Sequence, residues 1–209
     1  MKIKSLKISN VLSFKYHNNL TEATEIAFDS DLNILIGQNG SGKSTVLEVI
    51  NFIFKRVIFK QYYFNEGIYE QRKDQSEGNL KQIFTFGENA TYSEFRLNPN
   101  WNYENQNQTL QIRIELDSID IKNLQILNGN KEILSQTLAK YSNLKLDSVD
   151  IYQKEYLIEI HLDKKKGEFT FSFDKEDGGT NYLKQYNLYK EIINLYNREN
   201  QESPINNLF

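Results

Sequence analysis

The sequence predicts an α/β fold in which a buried strand leads into a glycine-rich loop and a helix, with antiparallel strands packed beside them. Three observations predict this fold. Residues 32–36 read LNILI, an apolar run before a glycine that is typical of a central strand covered on both faces. Apolar residues then recur at helical spacing from about Lys43 to about Phe59. Other stretches alternate apolar and polar residues, as half-buried strands do.

The alternating stretches give the antiparallel part of the fold. Their apolar positions are Ile26 and Phe28; Leu110, Ile112, Ile114 and Leu116; Ile158, Ile160 and Leu162; and Phe169, Phe171 and Phe173. A period of two buries one face of a strand and leaves the other to solvent. The polar segment 98–109 between such stretches is interpreted as a hairpin loop.

Two more helices are predicted in the second half of the chain. One fits residues 131–140. The other carries an aromatic stripe at spacings of three and four, formed by Tyr182, Tyr186, Tyr189, Ile193 and Tyr196. We interpret the stripe as a helix face packed on the core; the alternative is the root of a coiled coil or a partner surface.

Composition limits the classes of protein. The 209 residues, 39% hydrophobic and 25% charged, are ordinary for a globular protein with one sizeable core or two small ones. The chain has no cysteine, which excludes disulfides and thiolate metal sites. No signal peptide or membrane span is evident, so we expect a cytoplasmic protein. A net charge of -3 attracts nucleic acid only through a local basic face or a partner subunit.

The glycine-rich loop carries a complete phosphate-binding motif, G-x-x-x-x-G-K-[ST], between the predicted strand and helix. Backbone N–H groups of such a P-loop surround the β-phosphate, and the helix N-terminus adds its positive dipole end. We expect Lys43 to reach the β- and γ-phosphates, the Ser44 hydroxyl to ligate Mg²⁺, and Thr45 to donate to the α-phosphate. The predicted nucleotide site is Gly37, Gln38, Asn39, Gly40, Ser41, Gly42, Lys43, Ser44 and Thr45.

Residues that would hydrolyse the nucleotide are harder to assign. A P-loop ATPase needs an acidic residue at the end of a second buried strand. Asp117 and Asp163 each end an apolar stretch, but charged or polar residues at alternate positions argue against a central parallel strand in both cases. The Mg²⁺ acid and the catalytic glutamate therefore stay unassigned. His17 and His161 fit no ligand or triad arrangement, so we expect structural or solvent-facing roles.

Two lysine-rich stretches admit two interpretations each. Residues 163–167, DKKKG, are interpreted first as a solvated hairpin tip, and the lysines near the N-terminus as a solvated face. A contact with a nucleic-acid backbone is the alternative for both stretches. The N-terminal lysines are Lys2, Lys4 and Lys7.

Residues IKSLKISNVLSFK and LNILIGQNGSGKSTVLEVINFIF together resemble the N-terminal segment of the SMC/RecF-like branch of ABC-type ATPases. They are most similar to the AAA-type ATPases of OLD-family nucleases and related bacterial anti-phage defence systems. The resemblance is specific over residues 2–54. It implies a P-loop NTPase fold of ABC-ATPase type, ATP and Mg²⁺ as cofactors, a head-to-head homodimer or higher oligomer, a link to DNA, and a nuclease or other effector controlled by ATP.

The resemblance also implies what this chain lacks. In that family a C-terminal lobe carries an LSGG segment, the Mg²⁺ acid with the catalytic glutamate, and a switch histidine. This chain has no LSGG, and its paired glycines, Gly178 and Gly179, follow DKED. We therefore expect residues 1–209 to be a single N-terminal lobe, truncated or completed by another chain. By the same resemblance, Gln153 corresponds to the glutamine that senses the γ-phosphate and Mg²⁺.

One departure concerns the first strand region. A motif such as NFRSF is replaced here by NVLSFK, in which Lys15 follows Ser13 and Phe14. Lys15 could supply a charge, but a lysine lacks the bidentate fork of an arginine.

Three functions remain open. The first is an ATP-binding lobe whose nucleotide-driven closing controls an effector, with little turnover by this chain alone. The second is a self-contained P-loop NTPase or kinase with a strand-rich insertion, which requires Asp117 or Asp163 on Mg²⁺. The third is a non-enzymatic interaction module. The complete motif argues against the third function, and the alternating strands argue against the second.

Overall fold

A computed structural model describes residues 1–29, 32–58, 97–140, 154–163, 165, 168–184 and 186–199. These residues fall into two compact units. The first unit contains a five-stranded sheet, the P-loop and helix α1, which spans Lys43–Phe52. The second unit contains four helices: α2 (Ser118–Gly129), α3 (Lys131–Ala139), α4 (Gly178–Lys184) and α5 (Tyr186–Glu199).

The sheet is antiparallel throughout and has the strand order β2-β1-β3-β4-β5. Its strands are β1 (Lys2–Ser9), β2 (Glu25–Ala27), β3 (Gln108–Glu115), β4 (Glu155–Asp163) and β5 (Glu168–Phe173). The predicted half-buried strands are thus confirmed. Asp163 pairs with Glu168, so β4 and β5 form an antiparallel hairpin pair; of the predicted hairpin tip between them, residues 164, 166 and 167 lie outside the described residues.

The register of the central pair places apolar residues opposite one another. Ile112 pairs with Ile158, and Leu110 pairs with Ile160; all four side chains are fully buried. The alternate positions of β3 and β4 are exposed or half-buried, and these carry the charged residues. The charges of Arg113 and Glu159 therefore stay in contact with water, which is the reason that neither strand can be a central parallel one.

The prediction of a central buried strand at residues 32–36 is wrong for this structure. The segment forms no strand, and three of its side chains are largely exposed: Leu32 by 76%, Ile34 by 69% and Ile36 by 89%. A strand forms only where neighbours satisfy its backbone hydrogen bonds. The described strands pair antiparallel with one another, and none of them pairs with this segment. The apolar composition of LNILI is a property of the segment itself, whereas its burial requires neighbouring strands that cover it.

Helix α1 follows the P-loop, as predicted. It buries Val46, Val49 and Phe52, and Ile53–Ile58 continue it with π-helical spacing. Phe59, the predicted end, lies outside the described residues. The segment 97–107 is a loop with a short 3₁₀ turn at Trp101–Tyr103, and the residues that would form the first half of the predicted hairpin lie outside the described part.

The helical unit confirms that the aromatic stripe packs inward, although two helices carry it instead of the single helix predicted: Tyr182 lies in α4 and the other four residues lie in α5. Tyr182, Tyr189 and Ile193 are buried, and the rings of Tyr182 and Tyr189 stack with centroids 6.4 Å apart. The Tyr182 hydroxyl donates to Asp120 Oδ1 at 3.2 Å. Burial, reinforced by the Asp120 charge, raises the pKa of Tyr182 far above its ordinary value. Tyr182 is therefore neutral in the fold and serves as a hydrogen-bond donor.

Helix α3 matches the helix predicted at 131–140, whereas α2 was not predicted. Across the described ranges, no helix is both long and apolar enough to cross a membrane.

Candidate nucleotide-binding site

The backbone of the P-loop depends on two glycines with positive φ. Gly40 has a φ of 81° and Gly42 a φ of 93°, a region that residues with a Cβ rarely enter. Gly42 is the N-cap of α1 and offers no side chain that could cap the first turn. The N–H groups at this end of the helix can therefore receive an anion, and the helix dipole favours one.

Lys43 lies folded over the loop that precedes it. Its Nζ donates to the carbonyl oxygens of Gly37 and Gln38, each at 2.7 Å, and lies 3.4 Å from the Ser41 hydroxyl. The ammonium group is thus held at the mouth of the loop by two carbonyls. A phosphate group is the natural competitor for such an ammonium, since a hydrogen bond between opposite charges is stronger than one from the ammonium to a neutral carbonyl.

The predicted site residues differ in their access to solvent. Ser44 is exposed at the start of α1, as a ligand of Mg²⁺ should be, whereas Thr45 is only 5% exposed. Gly37, Gln38, Asn39, Gly40 and Ser41 are exposed, and Gly42 is buried. The donor set of hydroxyl, ammonium and backbone amides fits a magnesium-bound phosphate chain, in which Mg²⁺ prefers oxygen ligands.

A second loop, the strand-end loop formed by residues 10–15, lies against the P-loop. Its Phe14 packs so closely on Gly42 that a Cβ built on that glycine would lie 3.0 Å from Phe14 Cε2. A backbone bond of 2.8 Å from Phe14 N–H to the Val11 carbonyl closes the loop. Two independent constraints therefore require glycine at position 42: its positive φ, and the Phe14 ring, which leaves no room for a Cβ.

Two buried asparagines fix the strand-end loop, and sequence reasoning missed both. Asn10 Nδ2 donates to the carbonyls of Tyr103 and Gln106, at 3.0 and 2.9 Å, and its Oδ1 accepts the Asn100 N–H at 3.2 Å. Asn100 Nδ2 donates in turn to the Leu12 carbonyl at 2.7 Å. Asn10 has a φ of 60°, which asparagine tolerates better than most residues. The available signal was Asn10 itself, in the segment that carries the family resemblance.

The two aspartates considered for Mg²⁺ are engaged elsewhere. Asp117 Oδ2 accepts from the N-terminal amine at 2.8 Å, and Asp163 Oδ1 accepts the Lys165 N–H at 3.0 Å. Gln153, the other candidate toward Mg²⁺, lies outside the described residues. Within the described residues, the contacts of Asp117 and Asp163 therefore do not assign either of them as the hydrolytic acid.

Two of the three lysines of β1 form ion pairs with glutamates of neighbouring strands. Lys4 Nζ lies 3.3 Å from Glu115 Oε2, and Lys7 Nζ lies 4.0 Å from Glu25 Oε2. Exposed pairs of this kind leave little net charge for a nucleic-acid backbone.

Both histidines line one polar cavity of about 310 Å³ on the solvent face of the sheet, together with Lys7, Gln111 and Glu159. His161 Nε2 lies 2.8 Å from Glu159 Oε1. In the described part of the chain, no three His, Cys, Asp or Glu side chains are grouped so that they could hold a metal ion.

Comparisons with known proteins agree with this geometry. A family model described as the AAA ATPase domain matches residues 1–208. A curated protein, the structural maintenance of chromosomes protein 3 homolog of Plasmodium falciparum (isolate 3D7), is 38% identical over 69 residues. Those residues are 32% of this chain and 5% of the Plasmodium protein, so the chain spans only a small part of that relative.

Proposed function

Because the chain belongs to the family of AAA ATPase domains, we propose that its loop from Gly37 to Thr45 binds ATP with Mg²⁺ and that the protein works as an ATP-driven switch. The observation that carries the proposal is the complete P-loop at the open N-terminus of α1, with Lys43 at its mouth. Families of AAA ATPases hydrolyse ATP in general.

Lys43 and Ser44 have separate roles in the proposed site. Lys43 exchanges its carbonyl partners for the β- and γ-phosphate oxygens, which neutralises part of their charge. The exposed Ser44 hydroxyl holds Mg²⁺, which supplies further positive charge between the same phosphates. Backbone N–H groups of the loop and of the first turn of α1 hold the β-phosphate.

The first test is ATP·Mg²⁺ binding by calorimetry, with and without Lys43→Ala. We expect the substitution to weaken ATP binding by roughly 10- to 100-fold, because it removes a charge-assisted hydrogen bond to phosphate. Lys165→Ala, which removes an exposed lysine from the β4–β5 turn, is the matched control and should bind ATP as the wild type does. Equal affinity of wild type and Lys43→Ala would contradict the proposed site.

Hydrolysis by the same samples separates two ATPase hypotheses. Because neither Asp117 nor Asp163 is directed to a phosphate site by its contacts, we propose that the chain alone binds ATP with little turnover. Rapid turnover that Asp117→Asn or Asp163→Asn abolishes would instead support a self-contained P-loop NTPase or kinase.

We also propose that residues 1–209 act as an N-terminal lobe that other protein completes. The support is the exposed apolar segment 32–36, which is composed like a central strand and has no neighbouring strand in the described part. We propose that parallel strands cover it, supplied by a further part of the ATPase or by a partner chain. Such strands end beside a P-loop, where an Mg²⁺ acid is needed.

The isolated chain and the assembled ATPase should respond differently to Ile34→Ser. In the 209-residue chain we expect the free energy of unfolding to change by no more than about 0.5 kcal/mol, because Ile34 is largely exposed. Ile112→Ala, in the buried face of β3, should cost about 2–5 kcal/mol as the control. In the ATPase assembled with its remaining parts, Ile34→Ser should reduce hydrolysis. No effect in the assembled protein would rule out a buried strand at 32–36.

The wider role that we propose rests on the resemblance of residues 2–54 to the ATPases of OLD-family and anti-phage proteins. In this role, ATP-dependent head-to-head dimerisation controls an effector such as a nuclease, and DNA is the signal or the target. Light scattering in ATP and in ADP tests the dimer, and phage plating on cells that carry the wild-type or Lys43→Ala gene tests the defence role. A protein that stays monomeric in ATP would exclude the dimer. Equal phage plating on cells with the wild-type and the Lys43→Ala gene would exclude the defence role.

A further inference from the structure

The P-loop contacts phosphates, which leaves the base of the nucleotide without an assigned surface. The loop of residues 97–107, which precedes β3, supplies a candidate. Trp101, the only tryptophan of the chain, opens the 3₁₀ turn Trp101–Tyr103, and 78% of its surface is exposed. An indole ring offers a large flat face with little conformational freedom, which is what stacking on a base requires.

The turn that carries Trp101 is fixed, so its exposure does not result from a free loop end. The preceding residue, Asn100, is 5% exposed, and its Oδ1 accepts the Asn102 N–H at 3.0 Å. On the other side of the turn, the Tyr103 ring packs on Tyr16 with centroids 5.8 Å apart. Trp101 is therefore the one ring of this turn that stands open to solvent.

The same turn is joined to the P-loop through the strand-end loop. Asn100 Nδ2 bonds the Leu12 carbonyl at 2.7 Å, and Phe14, two residues further, packs on Gly42. Asn10 bonds both Asn100 and Tyr103, which locks the turn and the strand-end loop into one unit. The turn that carries Trp101 is thus connected through the strand-end loop to Gly42, at the helix end of the P-loop.

From this chain of contacts and the exposure of the Trp101 ring, we propose that Trp101 stacks on the base of the nucleotide whose phosphates lie in the P-loop. The inference rests on the proposed function, because it requires a nucleotide at Gly37 to Thr45. Stacking accepts any base, so Trp101 contributes affinity for nucleosides and does not by itself select adenine. The ligand class is a nucleoside triphosphate or diphosphate, bound by its phosphates at one end and by its base at the other.

The wild-type chain reports directly on this contact, because all indole fluorescence comes from Trp101. ATP·Mg²⁺ and ADP·Mg²⁺ should quench and shift the emission. Tripolyphosphate, which has phosphates and no base, should bind by calorimetry and leave the emission unchanged. An identical fluorescence change with tripolyphosphate, or none with ATP despite calorimetric binding, would overturn the stacking proposal and leave the P-loop proposal standing.

Substitutions of Trp101 provide a second test of the stacking contact. Trp101→Ala should weaken ATP binding by roughly 5- to 100-fold, the range found for base–aromatic stacking, and leave tripolyphosphate binding unchanged. Trp101→Phe should keep most of the ATP affinity, and Asn105→Ala, at an exposed position of the same loop, should keep all of it. Equal losses for ATP and tripolyphosphate would show that Trp101 acts by holding the loop, against the proposal. No calorimetric binding of ATP to the wild type would overturn both proposals.

Discussion

Asn10→Ala should lower the free energy of unfolding of the sheet unit by about 3–5 kcal/mol, since each buried group left without its hydrogen bond costs about 1–3 kcal/mol. The substitution removes bonds to the carbonyls of Tyr103, Gln106 and Asn107 and to the Asn100 N–H. It also places alanine at a φ of 60°, which a Cβ disfavours. The measurement is urea unfolding followed by Trp101 fluorescence, which reports on this loop.

Two controls separate the causes of that loss. Asn10→Gly removes the same hydrogen bonds but tolerates the positive φ, so it should recover only the backbone part of the cost. Asn102→Ala, at an exposed position of the same loop, should change the free energy of unfolding by less than about 0.5 kcal/mol. If Asn10→Ala and Asn102→Ala were equally stable, the asparagine network would not hold the loop.

Gly42→Ala should impair the P-loop by roughly 2–5 kcal/mol, the sum of a left-handed backbone for a residue with a Cβ and of overpacking against Phe14. The new Cβ would lie 3.0 Å from the Phe14 ring, and φ is 93°. Part of this cost should appear as weaker ATP binding, because relief of the contact displaces the N-cap of α1 from the phosphate site. Calorimetry with ATP·Mg²⁺ and urea unfolding of the same samples measure both parts.

Two other glycines form a graded control series for Gly42. Gly40 also has a positive φ, but a Cβ there meets no atom within 4 Å, so Gly40→Ala should show only the backbone cost of about 1–2 kcal/mol. Gly129 ends α2 with open space around it, so Gly129→Ala should be neutral or stabilising by up to about 1 kcal/mol. If Gly42→Ala were no worse than Gly40→Ala, contact with Phe14 would not constrain the loop.

Local patterns predicted the half-buried strands well because the alternation of apolar and polar residues involves only neighbouring positions in the chain. The alternation in β3 and β4 places charged side chains on one face, and the structure keeps them there. The P-loop motif predicted where a helix begins and which residues precede it, since the required φ and the missing side chain select glycine at position 42. Residues 32–36 show the limit of such patterns. An apolar run indicates that a segment favours burial, but not which chain covers it.

By itself, the sequence determined the antiparallel strands, the P-loop helix and the inward aromatic stripe, because periodicity and motif spacing act over a few neighbouring positions. Only the tertiary structure decided which loop lies on Gly42, how Asn10 and Asn100 join loops about 90 residues apart, and that Trp101 stands open beside them. These contacts link segments distant in the chain, and their hydrogen bonds leave no periodic trace in the sequence. Whether segment 32–36 is exposed or buried likewise depends on the strands beside it and not on its own residues.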